Sequence, residues 1–144
     1  MLYENIELHN IEQITPADDG VWLQRLPDEV RLKLNEGAQG QALSPGCAEV
    51  RFVADANEAR ITLAGDGDTQ VSVFHGRFGT GEVHRVGTEP VTIDVTRPPN
   101  IDLAEKSHFA DMPFDPMVFR VMLGGGRVRL LSVEGDNIRP PQPE

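Results

Sequence analysis

Glycine and proline interrupt this chain roughly every ten residues, and short runs rich in β-branched residues lie between the interruptions. The chain has 144 residues, of which 14 are glycine and 11 are proline. Both residue types destabilise the interior of a helix and favour turns. Regular turn signals with short strands between them are typical of antiparallel sandwiches. We therefore expect one all-β domain, a jelly-roll-like antiparallel β-sandwich of about eight strands.

Alternation of apolar and polar residues defines the predicted strands, because successive side chains of a strand point to opposite faces. The clearest case is residues 91–96, where Val91, Ile93 and Val95 share one face. Gly124-Gly125-Gly126 joins the last two predicted strands, which favours a β-hairpin there. In chain order, the predicted strands are residues 3–14, 21–26, 47–54, 59–64, 70–74, 82–86, 91–96, 118–123 and 128–133.

One short helix is predicted at residues 27–35. Pro27 suits the first helical position, acidic residues follow it, and Gly37 lies just past the end. Residues 66–68 read as a hairpin turn, and residues 39–46 and 76–81 as loops. A long irregular crossing spans residues 97–113, within which residues 102–106 can form one helical turn.

The charge and the cysteine content limit the partners and the compartment. The formal net charge is −10, which disfavours nucleic acid and anionic membrane surfaces as partners. No stretch approaches the roughly 18 apolar residues that a membrane span needs. Cys47 is the single cysteine and the first residues do not resemble a signal peptide, so a cytoplasmic location is the default expectation. A secreted protein whose signal peptide has been removed is the alternative.

The serines, histidines and aspartates of this chain do not lie in the sequence motifs of catalytic nucleophiles or metal ligands. No serine sits in a Gly-x-Ser-x-Gly or Gly-Asp-Ser block, so no nucleophile is predicted. The four histidines do not have the tight spacing of zinc ligands, and Asp66-Gly67-Asp68 is not an EF-hand loop. We therefore expect no catalytic residue, no metal and no cofactor within this chain. The serines and histidines considered are Ser44, Ser72, Ser107, Ser132, His9, His75, His84 and His108.

Two stretches are candidate contact sites. The glycine-rich residues 76–81 lack the following helix that a phosphate-binding loop needs, but His75, Arg77 and Phe78 can form an exposed contact patch there. Trp22, the single tryptophan, together with an acidic neighbour is the candidate for a sugar site. Aromatic residues make up only 6% of the chain, which weakens the carbohydrate interpretation without removing it.

Five segments together resemble the β-sandwich domain that precedes the catalytic domain in bacterial SGNH hydrolases, the GDSL-type esterases and lipases. The segments are residues 23–31, 46–52, 71–78, 114–121 and 136–143, the last of which contains Arg139-Pro140-Pro141-Gln142-Pro143. The resemblance implies that residues 1–138 form an accessory sandwich and that residues 139–144 form a Pro-rich linker. The family's Gly-Asp-Ser block would follow that linker, outside the present sequence, so the resemblance lends this chain no catalytic residue.

The resemblance also implies a function and a set of contact residues. The domain would pack on an SGNH catalytic domain that hydrolyses or transfers acyl esters, and would shape substrate access. Candidates for the substrate wall are Arg25, His75, Arg77 and Phe78, and candidates for the domain interface are Arg139, Pro140 and Pro141. Two alternatives remain open at this point: a stand-alone carbohydrate-binding module that uses Trp22, and a structural domain that forms homodimers.

Overall fold

The computed structural model describes residues 1–99, 101 and 115–141. Within them the chain forms eleven strands and two short helices. The strands are β1 (Leu2–Tyr3), β2 (Ile6–His9), β3 (Gln13–Ala17), β4 (Gly20–Gln24), β5 (Glu49–Phe52), β6 (Glu58–Gly65), β7 (Thr69–His75), β8 (Phe78–Val86), β9 (Val91–Thr96), β10 (Phe119–Leu123) and β11 (Val128–Gly135). The helices are α1 (Asp28–Arg31) and α2 (Glu36–Gln41). Neither helix has the length and apolar character that a helix crossing a bilayer would need.

The strands form two antiparallel sheets. One sheet has six strands in the order β1-β2-β5-β10-β7-β8, and the other has five in the order β3-β4-β11-β6-β9. After each strand or hairpin the chain crosses to the opposite sheet, so β5, β7 and β10 belong to the six-stranded sheet while β4, β6, β9 and β11 belong to the other. The predicted all-β antiparallel sandwich is therefore confirmed.

Side chains from the inner faces of both sheets form one core. Phe52, Phe119 and Leu8 come from the six-stranded sheet, while Ile61 and Leu63 come from the five-stranded sheet. All five are essentially inaccessible to solvent. The period-two alternation predicted for β6, β7 and β9 accounts for their inward residues, because every second side chain of a strand faces the core.

The predicted final hairpin is wrong, because β10 and β11 lie in different sheets. Both edges of β10 are already occupied, one by β5 and the other by β7, so no edge is left for β11. The three glycines cross between the sheets instead. A Cβ atom on Gly124 would clash with the carbonyl oxygen of Gln70, and Gly126 adopts a φ of +88°. Gly124 and Gly126 are therefore needed for this close crossing.

The helix predicted at residues 27–35 is present in part, as α1 (Asp28–Arg31), and a second short helix, α2, that was not predicted follows it. The side chain of Asn35 accepts a hydrogen bond from the backbone N–H of Ala38 at 3.0 Å, which makes Asn35 the N-cap of α2. Gly37 lies inside α2 rather than past a helix end, and α2 occupies part of the predicted 39–46 loop. An N-cap residue has extended backbone, so Asn35 begins a new helix and cannot be the end of the predicted one.

Two predicted connections differ from the structure. The predicted 76–81 loop is a two-residue turn, Gly76-Arg77, followed by the long strand β8, and Gly76 has the positive φ of +54°. Residues 66–68 do form a turn, but it joins β6 to β7 across the two sheets rather than closing a hairpin. The helical turn predicted at residues 102–106 and most of the 97–113 crossing lie outside the described residues.

Candidate interdomain interface

One end of the sandwich gathers six of the predicted site residues, and we call it the exit end. It comprises residues 53–57, 75–78, 97, 115–119 and 136–141. His75 pairs with Phe78 and with Phe119, and Phe119 pairs with Phe52 on the other side, so these four residues form one row across the sheet. The next residue along the chain, Val53, pairs with Arg139. His75, Arg77, Phe78, Arg139, Pro140 and Pro141 are therefore brought together at this end.

Aromatic rings and a buried arginine form the interior of the exit end. The Phe52 and Phe119 rings stack with centroids 5.4 Å apart, and His75 meets Phe119 edge-on at 5.1 Å. Arg97 enters from the end of β9, and its Cζ lies 5.2 Å from the Phe119 ring centroid. The Arg97 guanidinium donates to the carbonyl oxygen of Ala54 at 2.7 Å. Arg97 thus ties the end of the five-stranded sheet to the six-stranded one.

His75 is buried, so the prediction that it belongs to an exposed patch is wrong. Its exposed fraction is zero, because the alternation of β7 turns it inward with Val71 and Val73. Neither ring nitrogen has a hydrogen-bond partner among the described residues. Burial, with a smaller contribution from the Arg97 charge, lowers the pKa of His75 from 6.5 to about 4, and Asp115 partly opposes this. Arg77 is exposed and Phe78 is partly exposed, as a contact patch requires.

We expect the domain to lose about 3 kcal/mol of stability through His75 between pH 6.5 and pH 4. The folded state holds the neutral ring until about pH 4, whereas the unfolded chain protonates near pH 6.5. Acid therefore favours the unfolded state across that window, and the loss is complete below it. Urea unfolding of the natural protein and of His75→Phe at several pH values measures the difference. If the stability of both proteins changed with pH in the same way, His75 would not be the cause of the loss.

The segment that leaves the sandwich is held by Asp55. Its carboxylate accepts a hydrogen bond from Asn137 at 2.9 Å and from the Arg139 guanidinium at 2.6 Å. Val53 and Arg139 exchange two backbone hydrogen bonds of 2.8 and 3.0 Å, and Pro141 is buried. The hydrogen bonds from Asn137 and Arg139 hold the pKa of Asp55 below its ordinary value. Residues 137–141 are therefore packed against the sandwich.

Replacing Asp55 with alanine is expected to loosen residues 137–141 locally. The carboxylate is exposed, so the midpoint of urea unfolding should hardly move, whereas amide hydrogen exchange at Arg139 should become faster. Urea titration measures the unfolding midpoint, and hydrogen exchange followed by NMR measures the exchange rate of the Arg139 amide. Glu134→Ala, which removes a comparable exposed ion pair with Arg60, is the control and should leave the Arg139 amide unchanged. Unchanged exchange in Asp55→Ala would show that the backbone bonds alone hold the segment.

A buried ion-pair network lies on the outer face of the six-stranded sheet and reaches the exit end. Glu49 accepts hydrogen bonds from Arg51 at 2.7 Å and from two nitrogens of Arg120 at 2.8 and 2.5 Å. Arg120 also donates to the carbonyl oxygen of Gly76 at 2.9 Å. Burial alone would raise the pKa of Glu49, but the hydrogen bonds and charges of the two arginines outweigh it and lower that pKa. Through Arg120 the network fixes the turn that carries Arg77.

Arg25 does not join the exit end. Leu23 pairs with Val128 at the beginning of β11, whereas the exit end holds the end of β11, so Arg25 lies at the opposite end of the sandwich. There it lines a cavity of about 680 Å³ together with Leu26, Leu34 and residues of α2. Its guanidinium donates to the carbonyl oxygen of Gly46 at 2.9 Å.

Trp22 lies on a third surface, the outer face of the five-stranded sheet. Val21 and Leu23 on either side of it face the core, so the indole points outward, where it is partly exposed. An acidic neighbour was expected beside the ring, but its neighbours are cationic. The guanidiniums of Arg127 and Arg129 lie 4.4 and 5.4 Å from the ring centroid. Asp19 is nearby, but it binds Arg129 at 2.7 Å.

The sequence interpretation missed Arg97, Glu49 and Arg120 as parts of these surfaces. The inward run Val91, Ile93, Val95 continues by period two to Arg97, so alternation was a usable signal for its burial. The same pattern places Glu49 on an outward face, where burial is not expected. Its burial depends on Arg120, which belongs to a strand about seventy residues away, and no local pattern reports that pairing.

Two of the described histidines contact acidic side chains rather than serines or one another. His9 contacts Glu7 at 3.2 Å and His84 contacts Glu82 at 3.4 Å, while no hydrogen bond joins a serine to a histidine in the part of the chain that is described. The same residues contain no group of three or more histidine, cysteine, aspartate or glutamate side chains able to hold a metal ion. Ser107 and His108 lie outside the described residues.

Comparison with known proteins shows the fold. No protein-family model and no curated protein sequence matches this chain. Among solved structures it is similar to the salicylyl-acyltransferase SsfX3 from a tetracycline biosynthetic pathway, with a TM-score of 0.68 and 11% identity. That match covers 94% of this chain and 39% of the acyltransferase, so the chain spans about two fifths of that protein's length. A CBM4 structure aligns with a TM-score of 0.41 and 10% identity over 95% of this chain and 78% of its own.

Proposed function

We propose that this chain is the non-catalytic β-sandwich domain of an SGNH (GDSL-type) ester hydrolase or acyltransferase. Its exit end packs on the catalytic domain, and the turn that carries Arg77 and Phe78 shapes one wall of the substrate entrance. Arg139, Pro140 and Pro141 contribute to the interface. Because the exit end is held by Asp55 and by backbone hydrogen bonds, the domain presents that surface in a fixed arrangement.

One observation carries this proposal. Four of the five segments that resemble the SGNH accessory domain have described residues at the exit end. Residues 46–52 end there and residues 71–78 turn there, while the described parts of the other two, 115–121 and 136–141, begin a strand there and leave the sandwich there. Positions scattered over the sequence thus converge on one surface. If the resemblance reflected only residues common to all β-sandwiches, the segments should be spread over the whole fold. Their convergence on one end supports a contact with another domain there.

The structural similarity to SsfX3 supports the proposal. An acyltransferase contains a sandwich of this fold within a chain more than twice as long as the matched part, since the match covers 39% of it. The two chains share only 11% identity, so the shared fold carries no residue roles from one to the other. The acyl-transfer chemistry itself therefore belongs to the proposal.

The coding region beyond residue 144 tests the proposal first. A Gly-Asp-Ser block shortly after Glu144, with an Asp-x-x-His pair near the far end, is expected. A stop codon at that point, or a following domain of another class, would overturn the proposal.

Kinetics of the complete protein test the wall. In hydrolysis of p-nitrophenyl esters, Arg77→Ala should raise KM with little change in kcat, because a wall residue binds substrate without reacting. Arg85→Ala is the matched control, since Arg85 is also an exposed arginine of the same hairpin but lies toward the opposite end of β8. If the two substitutions changed KM equally, Arg77 would not be part of the substrate wall.

The carbohydrate-binding alternative involves different residues. Trp22 lies on the outer face of the five-stranded sheet, away from the exit end, so a ligand there would not compete with an interdomain contact. The two functions are therefore compatible in one domain.

A further inference from the structure

Trp22, Arg127 and Arg129 form a cationic and aromatic surface on a strongly acidic protein, which we call the indole–arginine site. Arg129 is the direct cross-strand partner of Trp22, and Arg127 lies two residues earlier, immediately before β11 begins at Val128. The Cζ atom of Arg127 lies 4.4 Å from the indole centroid. A guanidinium held on an aromatic face is fixed in place while its N–H edge stays available.

Among the described residues, Arg127 differs from most other arginines because no carboxylate there binds it. Within residues 1–99, 101 and 115–141 its guanidinium forms no hydrogen bond or ion pair, and it lies over the indole ring. By contrast, Arg129 binds Asp19 at 2.7 Å, and Arg60, on the same outer face, binds Glu134 at 2.8 Å. In a chain with 23 acidic and 13 basic residues, this leaves a fixed donor fork available for an oxyanion from outside.

The surroundings of the ring indicate the rest of the ligand. Arg129 in β11 and Arg127 just before it reach the ring from one side of Trp22, while the residue paired with Trp22 on the other side, in β3, is the short, exposed Thr15. Space therefore remains beside the indole for an apolar ring face. A neutral sugar would cover the guanidinium edge without giving it an oxyanion, whereas a sugar that carries a carboxylate satisfies both groups.

We propose that the indole–arginine site binds uronic-acid residues of an acidic oligosaccharide. The apolar face of the sugar lies against Trp22, and its carboxylate accepts hydrogen bonds from Arg127. The net charge of −10 opposes anions at long range, so the expected dissociation constant is modest, about 1 mM. This inference is independent of the interdomain contact, because the exit end contributes none of these residues.

Fluorescence of the isolated domain tests the proposal directly, since Trp22 is the single tryptophan and reports only on this site. Titration with trigalacturonic acid should change the emission saturably, and the effect should weaken as salt is added. Its neutral methyl ester should give no change at the same concentrations. Arg127→Gln should weaken binding at least about tenfold, the loss expected for one charge-assisted hydrogen bond. Arg60→Gln is the matched control and should bind with unchanged affinity.

Three results would overturn the proposal. No saturable change with trigalacturonic acid would remove the site. Equal binding of the acid and its methyl ester would show that the carboxylate is not recognised. Benzoate binding as tightly as the oligosaccharide would replace the saccharide by a small aromatic carboxylate. The comparison of acid and ester uses the unaltered protein, so the test holds even where Arg127→Gln fails to fold.

Discussion

Replacing Phe119 with alanine is expected to lower the free energy of unfolding by about 3–5 kcal/mol. The ring is fully buried and lies at the centre of the row that crosses the exit end, between Phe52 and His75. Truncation removes the 5.4 Å stacking with Phe52, the edge-on contact with His75 and the aromatic face beneath Arg97. Urea unfolding monitored by the fluorescence of Trp22, which lies on the other sheet, measures the change.

Two further substitutions show whether the loss comes from the volume that is removed at a buried position. Phe119→Leu keeps most of the volume and should cost about 1 kcal/mol, since swaps that conserve volume usually cost less than about 1.5 kcal/mol. Leu2→Ala, at a side chain that is 68% exposed, should stay within about 0.5 kcal/mol of the natural protein. If Phe119→Ala were as mild as Leu2→Ala, the aromatic row would not be part of the core. Such a result would also remove the rigid support under the proposed interface.

Local patterns predicted most of the strands because apolar and polar residues alternate along a strand that is buried on one face. The strand at Val91–Thr96 has the predicted bounds, and β6, β7 and β11 differ from prediction only at their ends. The same alternation, extended by one step, places His75 and Arg97 inward. His75 was predicted to be exposed and Arg97 was assigned to the crossing that follows the strand, but the period of each strand places both side chains inward.

The pairing of strands was not predictable from such patterns. Nothing within residues 118–133 shows that β10 has β5 and β7 on its two edges, so the glycines read locally as a hairpin turn. Strand order depends on contacts between residues far apart in the chain, which one sequence does not display. The same limit applies to the exit end, whose residues come from five separate parts of the sequence.

The buried position of Glu49 has an equally large expected consequence. Glu49→Gln should lower the free energy of unfolding by about 3 kcal/mol, because it removes the negative charge that Arg51 and Arg120 share in a buried network, while Arg51 keeps the longer 3.6 Å contact with Glu7. The exposed fractions of the Glu49, Arg51 and Arg120 side chains are 6%, 9% and 14%. Glutamine has nearly the same shape, so the effect reports the lost charge rather than a cavity.

Two comparisons make the prediction about Glu49 specific. Glu134→Gln removes the Arg60 ion pair, whose side chains are 59% and 55% exposed, and should cost less than about 1 kcal/mol. The pKa of Glu49 is lowered in the folded state, so its stabilising effect is present above its ordinary value of 4.5 and is lost as the pH falls through the folded value. The difference between the natural protein and Glu49→Gln should therefore shrink on acidification below about pH 4.5. A difference that stays constant with pH would mean that glutamine disturbs packing, and the charge would not be what stabilises this face of the sandwich.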